Sequence, residues 1–224
     1  MSEHDHDDLK ELEQLIKRLS SLESIKTADI PTIDLYMDQV THFMDHYMST
    51  AKRYEDDKIL TKTMINNYTK NKLLPPPVKK KYSRDHMILL IFIYYMKNLL
   101  SINDIDSLLT PVSEKYFGNE TGTRLPAVYE EIHSYLQTRR TDLIDQVRKE
   151  YLKSEEFFKD FEGQLPEEDI RELRHFAYIC FLSYDVYIKK MVIETLIDNR
   201  RAAEDSGKKG KTKKGKPDPA GSGT

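Results

Sequence analysis

Residues 60–105 read LTKTMINNYTKNKLLPPPVKKKYSRDHMILLIFIYYMKNLLSINDI, and the order of elements within them decides the fold. Thr61 is a suitable N-cap for a helix from Lys62 to about Asn71. On a helical wheel of about 100° per residue, Met64, Ile65 and Tyr68 gather on one side. Lys62, Thr63, Asn66, Asn67, Thr69 and Lys70 fall on the other. Leu73-Leu74-Pro75-Pro76-Pro77 stops this helix, because residues before proline avoid the helical region. The three prolines make a stiff, extended connector. Val78 to Tyr82 follows as a basic loop or short strand. Ser83 then caps a helix covering Met87 to Leu99, whose apolar run to Met96 is too short to cross a bilayer and reads as buried. Ser101 starts a further short helix through Leu109, with Asp104 in its first turn.

Upstream, Met1 to Asp8 is polar, with a frayed, solvated terminus expected in place of a metal site for its HDHDD run. Leu9, Leu12, Leu15, Ile16 and Leu19 mark one face of an amphipathic helix within 1–29. Thr27 to Pro31 breaks it. Thr32 or Asp34 is the expected cap of the next helix, from near Ile33 to about Tyr54, with Leu35, Met37, Val40, Phe43, Met44 and Tyr47 apolar. His42 and His46 lie four apart on that helix. Two imidazoles without a third ligand make a weak metal site, so they read as ordinary surface histidines.

Downstream, Pro111, Gly118, Gly122 and Pro126 place a boundary between a region 30–110 and a helical region 111–203. A helix is expected from about Ala127 to Lys153, with Tyr129, Ile132, Leu136, Leu143, Ile144, Val147 and Tyr151 as core positions. Glu130, Glu131 and His133 on it read as a solvated face. Another starts at Pro166, where Glu167, Glu168 and Asp169 suit the positive end of the helix dipole, and runs to about Asn199. Tyr178, Phe181, Tyr184 and Tyr187 on it are expected in the core, a small-molecule pocket being the other reading. Residues 204–224, rich in Gly, Lys and Pro, read as a disordered basic tail. Outside that tail glycine is scarce, and the periodicities argue for an all-α, mainly helical protein with at most a small wing. Cys180 is alone among apolar neighbours, so an inert buried thiol and a reducing cytoplasm are expected, with no signal peptide visible.

Charged residues make up 33% of the chain yet cancel to −3, so distribution matters more than total. From Leu60 to Arg84 the charged residues are Lys62, Lys70, Lys72, Lys79, Lys80, Lys81 and Arg84, with no carboxylate among them. A basic island in an acidic body suggests a local anion site. The outward set Lys62, Thr63, Asn66, Asn67 and Lys70 suits a DNA major groove, since asparagine pairs bidentately with adenine and lysine reaches guanine or phosphate. Lys79, Lys80, Lys81 and Arg84 would contact phosphate, giving salt-sensitive attraction with little sequence information. There is no phosphate-binding glycine loop, closed metal-ligand set or nucleophile elbow, so neither an enzyme nor a cofactor is expected.

The same residues resemble the winged helix-turn-helix headpiece of MerR-type regulators. That family ends its recognition helix in Tyr-x-x-x-x-Leu-Leu-Pro-Pro, and here Tyr68 is followed by Leu73, Leu74, Pro75 and Pro76. A basic wing, Tyr-Ser and a helix follow in the family, then Ser-Leu-x-x-Ile; Lys79 to Tyr82, Ser83 and Ser101-Ile102-Asn103-Asp104-Ile105 keep that order. More closely, Ile30 to Leu109 looks like the YkrK-like family of bacterial proteins, which has no assigned function, through IDLYMDQV, LTKTMINNY and KNKLLPPPVKKKYS. The chain departs from the MerR pattern by an insertion from Thr41 to Ile59, expected to extend the first helix. Asn66 and Asn67 replace an arginine and a tyrosine, Lys72 a glycine, and Lys81 an arginine.

The resemblance implies a MerR-like headpiece plus a C-terminal helical region, double-stranded DNA as partner, and a homodimer on paired half-sites. Tyr68, Leu73, Leu74 and Tyr82 would hold recognition helix and wing together. A protein or small-molecule effector would act through 111–203. The alternative expectation is a protein–protein interaction module that keeps the headpiece fold but binds protein through its polar face, a reading that the inserted segment packed across the outward face of Lys62 to Lys70 would decide for. No membrane partner is expected.

Overall fold

The computed structural model describes residues 3–22, 24–119 and 121–213. Seven helices and one two-stranded sheet follow in the order α1 (Glu3–Ser21), β1 (Leu35–Tyr36), α2 (Met37–Met48), α3 (Lys62–Lys70), β2 (Lys81–Tyr82), α4 (Arg84–Met96), α5 (Ile102–Tyr116), α6 (Leu125–Ser154) and α7 (Glu167–Lys213). The mainly helical class expected from the sequence is what the chain adopts.

The core is built on α4. Met87, Ile88, Leu89, Leu90, Ile91 and Ile93 are completely enclosed, which explains a helix with no polar face. Around it stand Val40, Met44 and Met48 of α2, Ile65 and Tyr68 of α3, Ile105 and Leu109 of α5, and Leu125 and Tyr129 of α6. Each such aliphatic side chain stabilises the fold by about 1.5–3 kcal/mol relative to exposure. The start of α6 thus belongs to the same core as α2–α5. The connection from α5 to α6 is closed by Gly118, at φ 65°, whose N–H donates to Asp85 Oδ2 at 2.7 Å.

Several boundaries differ from the sequence expectation. The second helix begins at Met37, later than Ile33, because Leu35 and Tyr36 pair antiparallel with Tyr82 and Lys81. Its cap is not Thr32 or Asp34: the Tyr36 N–H donates to Gln39 Oε1 at 2.8 Å. It also ends at Met48, short of Tyr54, and passes into a 3-10 turn, Ser49–Ala51. The insertion therefore extends the helix only through Met48, and the rest of it leaves the helix. Residues 52–60 form a loop whose Ile59 and Leu60 are buried in the core. α5 runs through Pro111 to Tyr116 instead of stopping at Leu109. Proline there forfeits one backbone bond, which the packing of Val112 and Tyr116 against the core offsets.

At the N-terminus α1 already starts at Glu3, so regular structure reaches into the stretch expected to fray. Arg140 of α6 donates to the carbonyls of Leu19 (3.1 Å) and Ser20, satisfying carbonyls at the open end of α1. At the other end α7 passes Asn199 and continues to Lys213, into the stretch expected to be disordered. No proline interrupts it there, the Arg200–Glu204 pair (3.2 Å) bridges one turn, and each glycine costs a helix only about 1 kcal/mol. The rest of the tail, 214–224, lies outside the described residues.

Candidate nucleic-acid interface

The short helix α3 is positioned by its apolar side. Thr61 caps it, its Oγ1 accepting from the Met64 N–H at 3.1 Å, as the sequence indicated. Ile65 and Tyr68 are buried while Lys62, Thr63, Asn66, Asn67 and Lys70 are all exposed. The five outward residues read from the wheel therefore share one open face. Among the described residues, only Lys62 has an ion partner on that face, Asp38 of the first turn of α2. Both side chains are largely solvated, so the pair is weak and easily exchanged for another anion.

After α3 the chain reverses at Lys72, at φ 64°. The Leu74 N–H reaches back to the Tyr68 carbonyl at 3.2 Å, which buries Leu73 and Leu74 and launches the proline connector. Beyond it Val78 and Lys81 exchange both backbone hydrogen bonds, at 3.1 and 2.9 Å, around a two-residue turn. Lys79 and Lys80 form that turn at φ 51° and 64°. Two successive left-handed residues are the mark of the I′ hairpin turn, a place normally taken by Asn-Gly.

Val78 to Tyr82, for which the sequence predicts a loop or short strand, is thus a hairpin with two exposed lysines at its tip. Lys81 leans back, its Nζ 5.1 Å from the centre of the Tyr36 ring. Tyr82 is buried, with its hydroxyl near the Thr69 side chain. Leu35, opposite Tyr82 in the sheet, ties the hairpin to the strand before α2. Desolvation raises the Tyr68 and Tyr82 phenols above their ordinary value, so both stay protonated.

Arg84 behaves differently from the expected phosphate contact. Its guanidinium is half-buried and Nη2 donates to the Thr27 carbonyl. It ties the start of α4 to the 3-10 turn Thr27–Asp29. Next to it, His86 is buried and its Nδ1 accepts from the Ser83 N–H at 3.0 Å. Nε2 then carries the proton and faces the Pro75 and Pro76 carbonyls without reaching full hydrogen-bond geometry. Burial lowers the His86 pKa, outweighing those carbonyls and the Asp85 and Asp34 carboxylates. Nothing in the sequence alone distinguished this histidine, or Arg84, from surface residues.

The inserted segment turns away from α3. Lys52 pairs with Asp45 at 2.7 Å and its carbonyl accepts from Arg18 of α1 at 3.0 Å. The Ile59 carbonyl accepts from Lys97 Nζ at 2.6 Å. Its described partners are on α1, α2 and the end of α4, and the polar face of α3 stays open.

Elsewhere, an apolar groove of about 640 Å³ lies between α1, α4 and α6, lined among others by Leu19, Met48, Phe92, Leu136 and Ile144. His133, read as solvated beside Glu130 and Glu131, is buried and bonded to Ser24 Oγ at 3.0 Å. Cys180, expected inside, is exposed. So are Phe181, Tyr184 and Tyr187, with only Tyr178 of that stripe in the interior. On α6 Tyr129 is buried as expected, but Ile132, Leu136 and Leu143 are exposed. These positions keep helical periodicity, but α6 and α7 have too few neighbours to cover them. His42 and His46 stand exposed on α2, and among the described residues no three His, Cys, Asp or Glu side chains are grouped to hold a metal ion. No described helix is long and apolar enough to cross a membrane.

Residues 25–132 match the family model described as a domain of unknown function, DUF1836. The matched span runs from the turn after α1 into the first turns of α6. It thus contains the whole buried core, α3, the hairpin and the proline connector, and leaves out α1 and all of α7. This agrees with a family without assigned function and carries no activity with it. No curated protein and no solved structure gives a significant match to the chain.

Proposed function

We propose that this protein is a DNA-binding, transcription-regulator-like protein with a MerR-like winged helix-turn-helix headpiece. In this reading α2 and α3 are the helix-turn-helix, α3 enters the major groove, and the hairpin is the wing. The observation that carries the reading is the pairing of an open polar helix face with a strained, doubly basic hairpin tip. Lys62, Thr63, Asn66, Asn67 and Lys70 share that face, and Lys79 and Lys80 stand exposed at the hairpin tip in a conformation lysine avoids. Left-handed non-glycine residues persist where the surrounding structure over-determines them, and they gather at functional sites. Asn66 and Asn67 would read bases, while Lys70, Lys79, Lys80 and Lys81 would meet phosphates. Arg84 acts by holding α4 in place. Two copies would bind paired half-sites, and region 111–203 would join them and receive any effector.

The alternative, an interaction module whose polar α3 face binds protein, would have been favoured by the inserted segment lying across α3. Its contacts with Arg18 and Lys97 favour the DNA reading instead. The test is binding of the full chain to pooled genomic fragments over a salt series, with Lys79, Lys80 and Lys81 changed to alanine as control. Enrichment of particular fragments, weakened by salt and by the lysine changes, is expected. Enrichment that survives those changes, or none at all, overturns the reading.

A further inference from the structure

We propose that the groove between α1, α4 and α6 binds a single-chain amphiphile with an anionic head, an acyl carboxylate of medium length, whose head pairs with Arg140. The site stands on its own geometry. Only its use by an effector rests on the reading above.

The groove is apolar and open. Phe92 and Met96 of α4, Ile132 and Leu136 of α6 and Leu19 of α1 line it. Ile132 is 41% exposed, Leu136 51% and Tyr95, also in the lining, 45%. Single exposed apolar side chains need no explanation. Here they share one concave surface of about 640 Å³. Small-molecule sites are concave, mainly apolar and about 300–1,000 Å³ in size.

The shape selects a narrow ligand. On α6 the lining runs from Tyr129 to Val147, about 27 Å at 1.5 Å per residue. Spread over about 27 Å, the 640 Å³ leaves a mean section of roughly 24 Å². That is close to the girth of one hydrocarbon chain whose neighbours sit about 4 Å away. A partner helix, about 10 Å across, would need on the order of 2,000 Å³ over the same length.

The chemistry selects the head. Ser24 Oγ bonds His133 Nε2 at 3.0 Å and accepts from Gln137 Nε2, so these polar groups already have partners. Arg140 differs. It is the one permanently charged residue of the lining. Its Nη2 donates to the Leu19 carbonyl at 3.1 Å and to the Ser20 carbonyl. Both acceptors are neutral, so the charge stays uncompensated. Nη1 and Nε carry three of the five guanidinium N–H groups, and among the described residues nothing accepts from them and no carboxylate pairs with Arg140. Half-buried at the edge of an apolar surface, Arg140 is placed for a charge-assisted bond to a carboxylate. An ammonium head would meet a like charge there, and a neutral head would leave the charge unanswered. From Arg140 the lining reaches back to Tyr129, about 16 Å along α6. That is the length of about twelve chain carbons at roughly 1.3 Å each along a zigzag of 1.5 Å bonds.

The test is titration calorimetry of the full chain with sodium dodecanoate below its micelle concentration, beside dodecanol and dodecyltrimethylammonium. Dodecanoate should bind saturably, one per chain, at least tenfold more tightly than either analogue. Ile132→Trp combined with Leu136→Trp fills the groove and should abolish binding. Both positions are exposed, so the helical spectrum should not change. Arg140→Met should erase the preference for dodecanoate over dodecanol, and Arg140→Lys should keep most of it. The lysine variant separates charge from the bonds to the end of α1, which both changes disturb. No saturable binding, dodecanol or the ammonium binding as tightly as dodecanoate, binding that survives the double tryptophan change, or a preference that survives Arg140→Met each overturns the proposal. These titrations contain no DNA, so this site and the DNA reading fail independently.

Discussion

Lys79 and Lys80 stand side by side in the left-handed region at the tip of the hairpin closed by Val78 and Lys81. For residues with a Cβ this conformation costs about 1–2 kcal/mol each, and asparagine or glycine there would cost less. Changing Lys79→Asn and Lys80→Gly together should therefore stabilise the protein by roughly 1–2 kcal/mol in urea unfolding. The same change should weaken DNA binding severalfold. A stability gain without loss of binding would separate the strained tip from function.

The two sets of exposed residues should fail in different ways. Asn66→Ala and Asn67→Ala should leave stability within about 0.5 kcal/mol of the native chain, both being solvent-exposed. They should relax sequence preference while leaving the salt dependence of DNA binding in place. Replacing Lys79, Lys80 and Lys81 by alanine should instead flatten that dependence by about two to three units of log–log slope, at roughly 0.9 per phosphate contact. Fluorescence anisotropy with matched and scrambled duplexes measures both.

Arg84 separates framework from interface. Its bond to the Thr27 carbonyl crosses from α4 to the turn before β1. Arg84→Ala should destabilise the fold by about 1–3 kcal/mol, the cost of a lost charge-assisted bond, although the Thr27 carbonyl keeps the Ile30 N–H. Lys70→Ala should change stability hardly at all. Comparing unfolding midpoints at constant slope checks this directly.

His86 gives the protein an acid-sensitive step. Burial against Tyr82 and Phe117, with ring centres 5.4 and 4.7 Å away, keeps its imidazole neutral. The unfolded chain takes up the proton near the ordinary value of about 6.5, and the folded protein only at lower pH. Stability from this residue is therefore complete above about pH 6.5 and declines as the pH falls from there toward the folded-state value. His86→Gln does not titrate and can still accept from the Ser83 N–H, as glutamine does in a capping box. Its unfolding free energy should fall less between pH 7.5 and pH 5 than that of the native chain. Parallel curves would remove His86 as the cause.

What the sequence disclosed divides along physical lines. Thr61, the two-sided α3 and the proline stop were legible because caps, helical period and proline sterics act within a few residues. The enclosure of α4 was legible because a helix with no polar face has to be surrounded. The hairpin turn was obscured because Lys-Lys carries none of the usual Asn-Gly signature, and the strain is imposed by the neighbouring Val78–Lys81 bonds. β1 was missed because Leu35 and Tyr36 become a strand only through Tyr82 and Lys81, far along the chain. The apolar positions of α7 were read as core because periodicity reports that a face wants cover, not which molecule supplies it.

The Leu35–Tyr82 pairing also bears on the order of assembly. α3 needs only its own turn of backbone and a cap to become helical, whereas the hairpin is held against it by a strand lying before α2. Contacts so distant along the chain form only after the intervening loop has been closed. A partly folded chain would then display α3 without a correctly aimed basic arm. If the proposed DNA binding holds, newly made protein gains its full grip on a polyanion only when the core around α4 is complete, so that binding reports maturation.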